Sequence, residues 1–220
     1  MSWLATERFG ARTAPAGLAL VQELVNTHAV ERDGPDLLTD RTSAEDWLRG
    51  AADEWARSRG LDSPGLSLPQ ADLEALRELR TTVEKMLAVP PGERPVDMAG
   101  TQAGVEQRAQ VSLVSDGEGR VGMVPFGTGS RWLESAVWSE ILLAQQDGDW
   151  AHLKLCREPG CRSAFYDTSR NSSGVWHNVR TCGNMANLRA SRIRKKTRTP
   201  ADGGADHSPE PANPRDTPPN

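Results

Sequence analysis

The chain has no long apolar run: nowhere do about 18 apolar residues follow one another, as a membrane-spanning helix requires. Aromatic residues are scarce at 5%, and a hydrophobic fraction of 37% is low for a globular chain, so part of it is expected to stay outside any packed core. The opening MSWLATERFG carries an acid and no apolar stretch of signal-peptide length, which points to a cytoplasmic protein. Cysteine is scarce as well. There are three, an odd number, all between positions 156 and 182, which disfavours a disulfide framework and favours a metal site.

Charge is plentiful but unevenly placed. Residues 1–150 hold 14 Lys+Arg against 24 Asp+Glu, a net of −10, whereas residues 151–198 hold 11 against 2, a net of +9. Residues 199–220 hold 1 against 4, with six prolines and no large apolar side chain, a composition that cannot offset its ordering entropy and predicts a disordered tail. An acidic body joined to a basic segment points to a partner of negative charge, nucleic acid first.

Between these extremes the hydrophobic pattern is helical. Leu18, Val21, Leu24, Val25 and His28 share one face of a helix expected over 16–30. Ala44, Trp47, Leu48, Ala51 and Trp55 recur at helical spacing behind a Thr42–Glu45 capping box, and their position on the stripe makes both tryptophans core residues. A third helix begins near Pro69, with Ser67 and Gln70 as its box and Leu73, Leu76, Leu79, Val83, Met86 and Leu87 facing inward. Val111–Ser115 and Arg120–Val124 flank a Gly-rich turn and predict a β-hairpin, and Ser130–Gln146 predicts a further helix that ends at Asp147-Gly148-Asp149. The class expected is α+β: N-terminal helices packed on a small antiparallel sheet over 1–147, a zinc-stapled module with a basic helix over 148–198, and the tail over 199–220.

The chemistry lies in Cys156-x4-Cys161-x15-His177-x4-Cys182. Three thiolates and an imidazole are donors that a structural zinc prefers, and four of them close the shell with no place for a catalytic water. Buried free thiols would not require all three cysteines to cluster. His152, four residues before Cys156, fits the paired spacing poorly. Phe165, Tyr166 and Trp176 are expected to pack over the metal, because so small a module has little other core, with stacking on nucleic-acid bases as the alternative. Past Cys182, Met185–Lys196 predicts a helix bearing Arg189, Arg192, Arg194, Lys195 and Lys196, suited to reading phosphates or a groove.

Taken together, Cys156…Cys161, Phe165-Tyr166-Asp167-Thr168-Ser169-Arg170-Asn171, Trp176-His177 and Thr181-Cys182-Gly183-Asn184 with the basic helix resemble the CGNR zinc finger of bacterial transcriptional regulators. Leu18–Thr27, and Asp36-Leu37-Leu38 ahead of Trp47-Leu48, look like that family's companion stress-induced regulator domain, the ABATE type. His177 stands where the family usually has Cys, a change zinc accepts as the site charge moves from about −2 to about −1. Met185 stands where CGNR has its Arg, and Gly174-Val175 where an Arg pair commonly precedes the Trp, which removes phosphate contacts.

The resemblance implies a DNA-binding regulator rather than an enzyme, with structural Zn2+ on Cys156, Cys161, His177 and Cys182. Arg170, Arg180, Arg189, Arg192, Arg194, Lys195 and Lys196 are then its DNA-facing residues. A zinc-stapled module that grips an acidic protein partner is the alternative, and a small-molecule effector and a homodimer are compatible with either. On this reading, His177→Ala loosens zinc and unfolds residues 151–196 while the N-terminal domain stays intact.

Overall fold

The computed structural model describes residues 3–30, 34–94 and 109–198; the tail expected from 199 onward lies outside them. At the centre is α2 (Leu18–Val25), all eight residues of which are buried. Helices α1 (Leu4–Arg8), α3 (Arg41–Ser58), α4 (Leu73–Ala88) and α5 (Gly129–Asp147) surround it. A helix enclosed on every side must satisfy its polar side chains from within the protein. Gln22 accepts from Ala14 N and donates to the carbonyls of Arg12 and Ala164, while the Glu23 carboxylate accepts the N–H groups of Ala5 and Thr6 and so caps α1. Burial pushes the Glu23 carboxyl up, and those backbone donors hold it back.

Helix α2 is shorter than its apolar periodicity predicts. Thr27 turns its hydroxyl onto Leu24 O and Asn26 directs its amide elsewhere, so the helix stops at Val25 and His28 lies beyond it, paired with Glu84 of α4. The N-terminus of α2 is shaped by Gly17: a Cβ there would fall 2.0 Å from the Glu140 carboxyl carbon. Only a bare glycine lets that buried carboxylate, which accepts from Trp55 Nε1 at 2.8 Å and pairs with Arg59, lie against the positive end of the helix.

Neither predicted capping box forms. Asp40, not Thr42, is the N-cap of α3, accepting from Ser43 N at 3.0 Å, and Glu45 is drawn away to Arg41 and Leu68 N. Ahead of α4, residues 70–72 form a 3-10 turn and no side chain caps the helix; the carboxylate of Asp72 instead accepts Ser130 N and Oγ at the start of α5. Asp40 caps α3 because the helix starts at Arg41, which places Asp40 at the N-cap with extended backbone and Thr42 inside the first turn. Trp47 and Trp55 are core residues as expected, and Trp55 meets Trp132 of α5 edge-on at 5.4 Å.

The expected hairpin forms from β1 (Val111–Ser115) and β2 (Val121–Pro125), antiparallel, with Ser115 opposite Val121. It rests on α5 and leaves Leu113 and Val121 exposed, so the helices pack chiefly on one another rather than on this sheet. A second antiparallel pair, β3 (Leu153–Leu155) and β4 (Ala164–Tyr166), belongs to the cysteine-bearing region and docks on α2 and α4. The class is α+β, but one core runs across the anticipated boundary near 147: Leu153 and Ala164 are fully buried in the same cluster as Leu20, Leu24 and Leu76. Asn26 seals the joint, its Oδ1 accepting Ala164 N at 2.8 Å and its Nδ2 donating to Ala164 O at 3.0 Å.

Asn26→Ala strands the Ala164 N–H in the core, since Gln22 still serves the carbonyl. The expected cost is about 2 kcal/mol. Thermal melts of the zinc-loaded protein should record it as a Tm lower by about 4–8 °C.

Candidate metal centre

The β3–β4 hairpin carries the first two cysteines on its loop. Cys156 follows β3 and extends the ladder through its N–H to Ser163 O at 2.9 Å. Glu158-Pro159-Gly160-Cys161 then forms a tight turn, with the Cys161 and Arg162 N–H groups on Glu158 O and Arg162 in the left-handed region at φ 53°. His177 and Cys182 come from the far side of a long loop. Asn178 caps the π-helical turn Val179–Gly183, taking Arg180 N on its side chain and Cys182 N on its carbonyl.

Cys156, Cys161, His177 and Cys182 converge so that their ligand atoms all lie within 4.8 Å of one another. Nδ1 is the imidazole nitrogen that faces the thiols, 3.2 Å from Cys161 Sγ and 3.5 Å from Cys182 Sγ. A zinc tetrahedron with ordinary Zn–S and Zn–N bonds has S–N edges of about 3.5 Å and S–S edges of about 3.8 Å. The donor set and spacing therefore fit zinc, and zinc here is structural, holding the hairpin loop to the π-turn. His152 is not a ligand: its Nδ1 contacts Asp167 O at 3.0 Å.

Acid–base behaviour shows how closely the thiols are packed. Cys161 is pulled down to about 3 by the hydrogen bond from the Cys156 thiol, helped by His177 and Ser163. Cys156 is pushed up correspondingly by that shared proton and then by burial, and Cys182 is pushed up by burial and the negative Cys161. Zinc takes thiolates, so its uptake displaces the protons that Cys156 and Cys182 are disposed to keep.

Support around the cluster comes from several segments. Phe165 and Trp176 pack against the cysteines as expected, together with Ala11, and the Phe9 ring meets His177 edge-on at 6.3 Å. Tyr166 does not join them. It packs against the helical core, and its hydroxyl donates to Asp149 at 2.5 Å, because alternation along β4 turns it to the opposite face from Phe165.

Two buried charges missed in the sequence organise the module. Glu158 is almost wholly buried and receives Nη1 and Nη2 of Arg189 at 3.2 and 2.6 Å, a two-pronged pair that ties α6 (Asn184–Arg198) to the cysteine turn. Asp167 takes Lys154 Nζ at 2.7 Å, Ser169 N at 2.9 Å and Gly174 N at 2.7 Å. Burial would raise its carboxyl, but the Lys154, Ser169 and Gly174 bonds win and hold it well below the usual range. Position 174 accepts only glycine without adjustment, since a Cβ would sit 2.8 Å from the Asp167 carboxyl carbon. The Asp167-x-Ser169 spacing is an Asx-turn signal that could have revealed this role; nothing in the sequence marks Glu158.

The residues expected to face DNA are scattered. Arg170 lies on the loop after β4 and Arg180 in the π-turn, both exposed. Arg189 is committed to Glu158 and thereby positions the helix. Arg192, Arg194, Lys195 and Lys196 are exposed along α6, where no residue of 184–196 is buried. Met185, at the position of the family's Arg, is half exposed.

A helical body closed by a three-cysteine, one-histidine zinc staple defines the class of protein. Residues 18–151 match the family described as "Putative stress-induced transcription regulator" (ABATE), and residues 152–195 match the CGNR zinc finger. The chain belongs to the ABATE family, with the CGNR zinc finger following directly. No curated protein matches the chain. No helix among the described residues is long and apolar enough to cross a membrane.

Zinc uptake should release about two protons per metal at neutral pH, seen by calorimetry in buffers of different ionisation enthalpy, and zinc affinity should fall about a hundredfold per pH unit on acidification. The shared core changes what ligand loss does. His177→Ala should release zinc and expose residues 156–161 and 176–198 to hydrogen exchange, whereas β3 and β4 stay protected with the helical core, rather than the whole of 151–196 unfolding.

Proposed function

We propose that the protein is a DNA-binding transcriptional regulator, not an enzyme, in which zinc fixes the base of α6 and the helix carries its cations to phosphates. The supporting observation is α6 itself. Its residues 184–196 are all exposed or half-buried, it is anchored at its start by the π-turn and by Arg189–Glu158, and it bears Arg192, Arg194, Lys195 and Lys196 at its surface. A polar helix with so little burial gains by docking on a surface of opposite charge, and duplex DNA supplies a regular one. The closed Cys3His shell is suited to holding this platform and leaves no coordination position for a reacting water. The helical body then senses a signal or mediates assembly, in keeping with the stress-induced regulator family.

A second reading has its own observation. Met185, Leu188 and Ile193 of α6 are at least half exposed, an unusual apolar content for a helix devoted to phosphates. A protein partner, acidic and apolar together, or a second copy of the chain, would bury them.

The two readings separate by salt. The zinc-loaded protein should shift the anisotropy of labelled duplex DNA with an affinity that falls steeply as salt rises, and chelation should abolish the shift. Arg192→Gln with Lys196→Gln should weaken binding and reduce the slope of log affinity against log salt by about 2. Absence of any shift at low salt would remove the DNA reading and leave the protein-partner one.

A further inference from the structure

At the seam between the helical body and the zinc module lies a cleft of about 580 Å³. One wall is made by residues 87–94, the end of α4 and the turn after it, and the other by residues 154–162 and 172–175 of the module. Four cationic side chains line it, Arg94, Lys154, Arg157 and Arg162, and among the described residues no carboxylate does. Leu155 and Val175 give it apolar surface.

These cations differ in how far they are already engaged. Lys154 has its ammonium on Asp167 and on the carbonyls of Ser172 and Gly174, so it shapes the wall. Arg94 is partly buried with only neutral partners: Nε on Val89 O, Nη1 on Trp150 O and Leu153 O, and Nη2 on Leu87 O, with its guanidinium over the Trp150 ring at 5.1 Å. Among the described residues it has no ion pair, and one Nη2 proton is left over; burial pulls its pKa down to about 10. Arg162 reaches Glu84 only at 3.7 Å, and Arg157 has no ion pair among the described residues. A zinc tris-thiolate behind Cys156 adds a charge of about −1 and Glu84 a further one, which leaves the three guanidinium groups in excess by about one.

A cavity that combines an unbalanced, partly desolvated guanidinium with two exposed ones and an apolar wall is matched to an anion with an apolar body. We propose that this cleft binds a small organic anion, a carboxylate or phosphate monoester bearing an apolar group, and that it is the effector site of the regulator. The second half of that statement rests on the function proposed above. Such a ligand bridges Arg94 on the body to Arg157 and Arg162, which directly follow Cys156 and Cys161. Its occupancy therefore stiffens the cysteine turn from which Glu158 holds α6.

The test uses phenyl phosphate as probe, with phenol as its neutral counterpart, titrated calorimetrically into the zinc-loaded full chain. Saturable one-to-one binding of phenyl phosphate and none of phenol is expected, with a Kd raised about tenfold or more by Arg157→Gln and less by Arg157→Lys. Among the described residues the Arg157 side chain has no hydrogen bond or ion pair to lose, so an unchanged melting curve should accompany the weaker binding. Failure of phenyl phosphate to saturate, equal binding of phenol, or an unaltered Kd in Arg157→Gln overturns the proposal. Stoichiometric displacement of the probe by duplex DNA also overturns it, since the cleft would then belong to the DNA surface. If the chain binds no DNA but Arg157→Gln still loses phenyl phosphate, the anion site stands and the regulator reading falls.

Discussion

The structure depends on the need to satisfy three polar side chains in and at the end of α2. Gln22 and Glu23 of the helix and Asn26 just past it have no access to solvent, and each must find partners within the protein. They find them in segments remote in sequence: Glu23 in the backbone of α1, Gln22 in the strand of chain at Arg12–Ala14 and in Ala164, Asn26 in Ala164 again. Hydrophobic burial alone would gather these segments without fixing their register. The hydrogen bonds specify one arrangement, because a shift of one residue would leave a buried amide or carboxylate without a partner.

The same bonds join what family boundaries divide. The regulator-family match ends at residue 151 and the zinc-finger match starts at 152, yet β3 and β4 bury Leu153 and Ala164 in the common core. The zinc module therefore folds against the helices, and the metal governs its outer part: the cysteine turn, the π-turn and α6. Arg189 and Glu158 then pass the position of the cysteine turn to the helix. This layout puts a metal-ordered, charge-bearing helix on a base whose orientation relative to the body is already set.

Much of the architecture was legible in the residues, and the exceptions share a cause. Periodicity located the long helices, and the clustering of Cys156, Cys161, His177 and Cys182 gave the metal site, because local spacing is itself the constraint in both cases. The capping boxes fail for two reasons: α3 starts at Arg41, earlier than its box implies, which puts Asp40 rather than Thr42 at the N-cap, and Asp72 serves α5 from across the fold, a pairing no local pattern contains. Tyr166 was assigned to the zinc shell from composition, whereas strand alternation sends it to the other core. Arg189 read as one more cation of a basic helix until the burial of Glu158, a tertiary fact, gave it a fixed partner.

Asn26 has one more effect, on how this protein meets its neighbours. Its amide occupies the outward N–H and C=O of Ala164, so β4 is closed by a side chain that imitates a third strand for one residue. A sheet edge blocked in this way cannot recruit a strand from another molecule at that point. The β1–β2 ribbon has no such stopper among the described contacts and exposes Leu113 and Val121, so self-association of partly unfolded chains should begin at the ribbon and spare the zinc module.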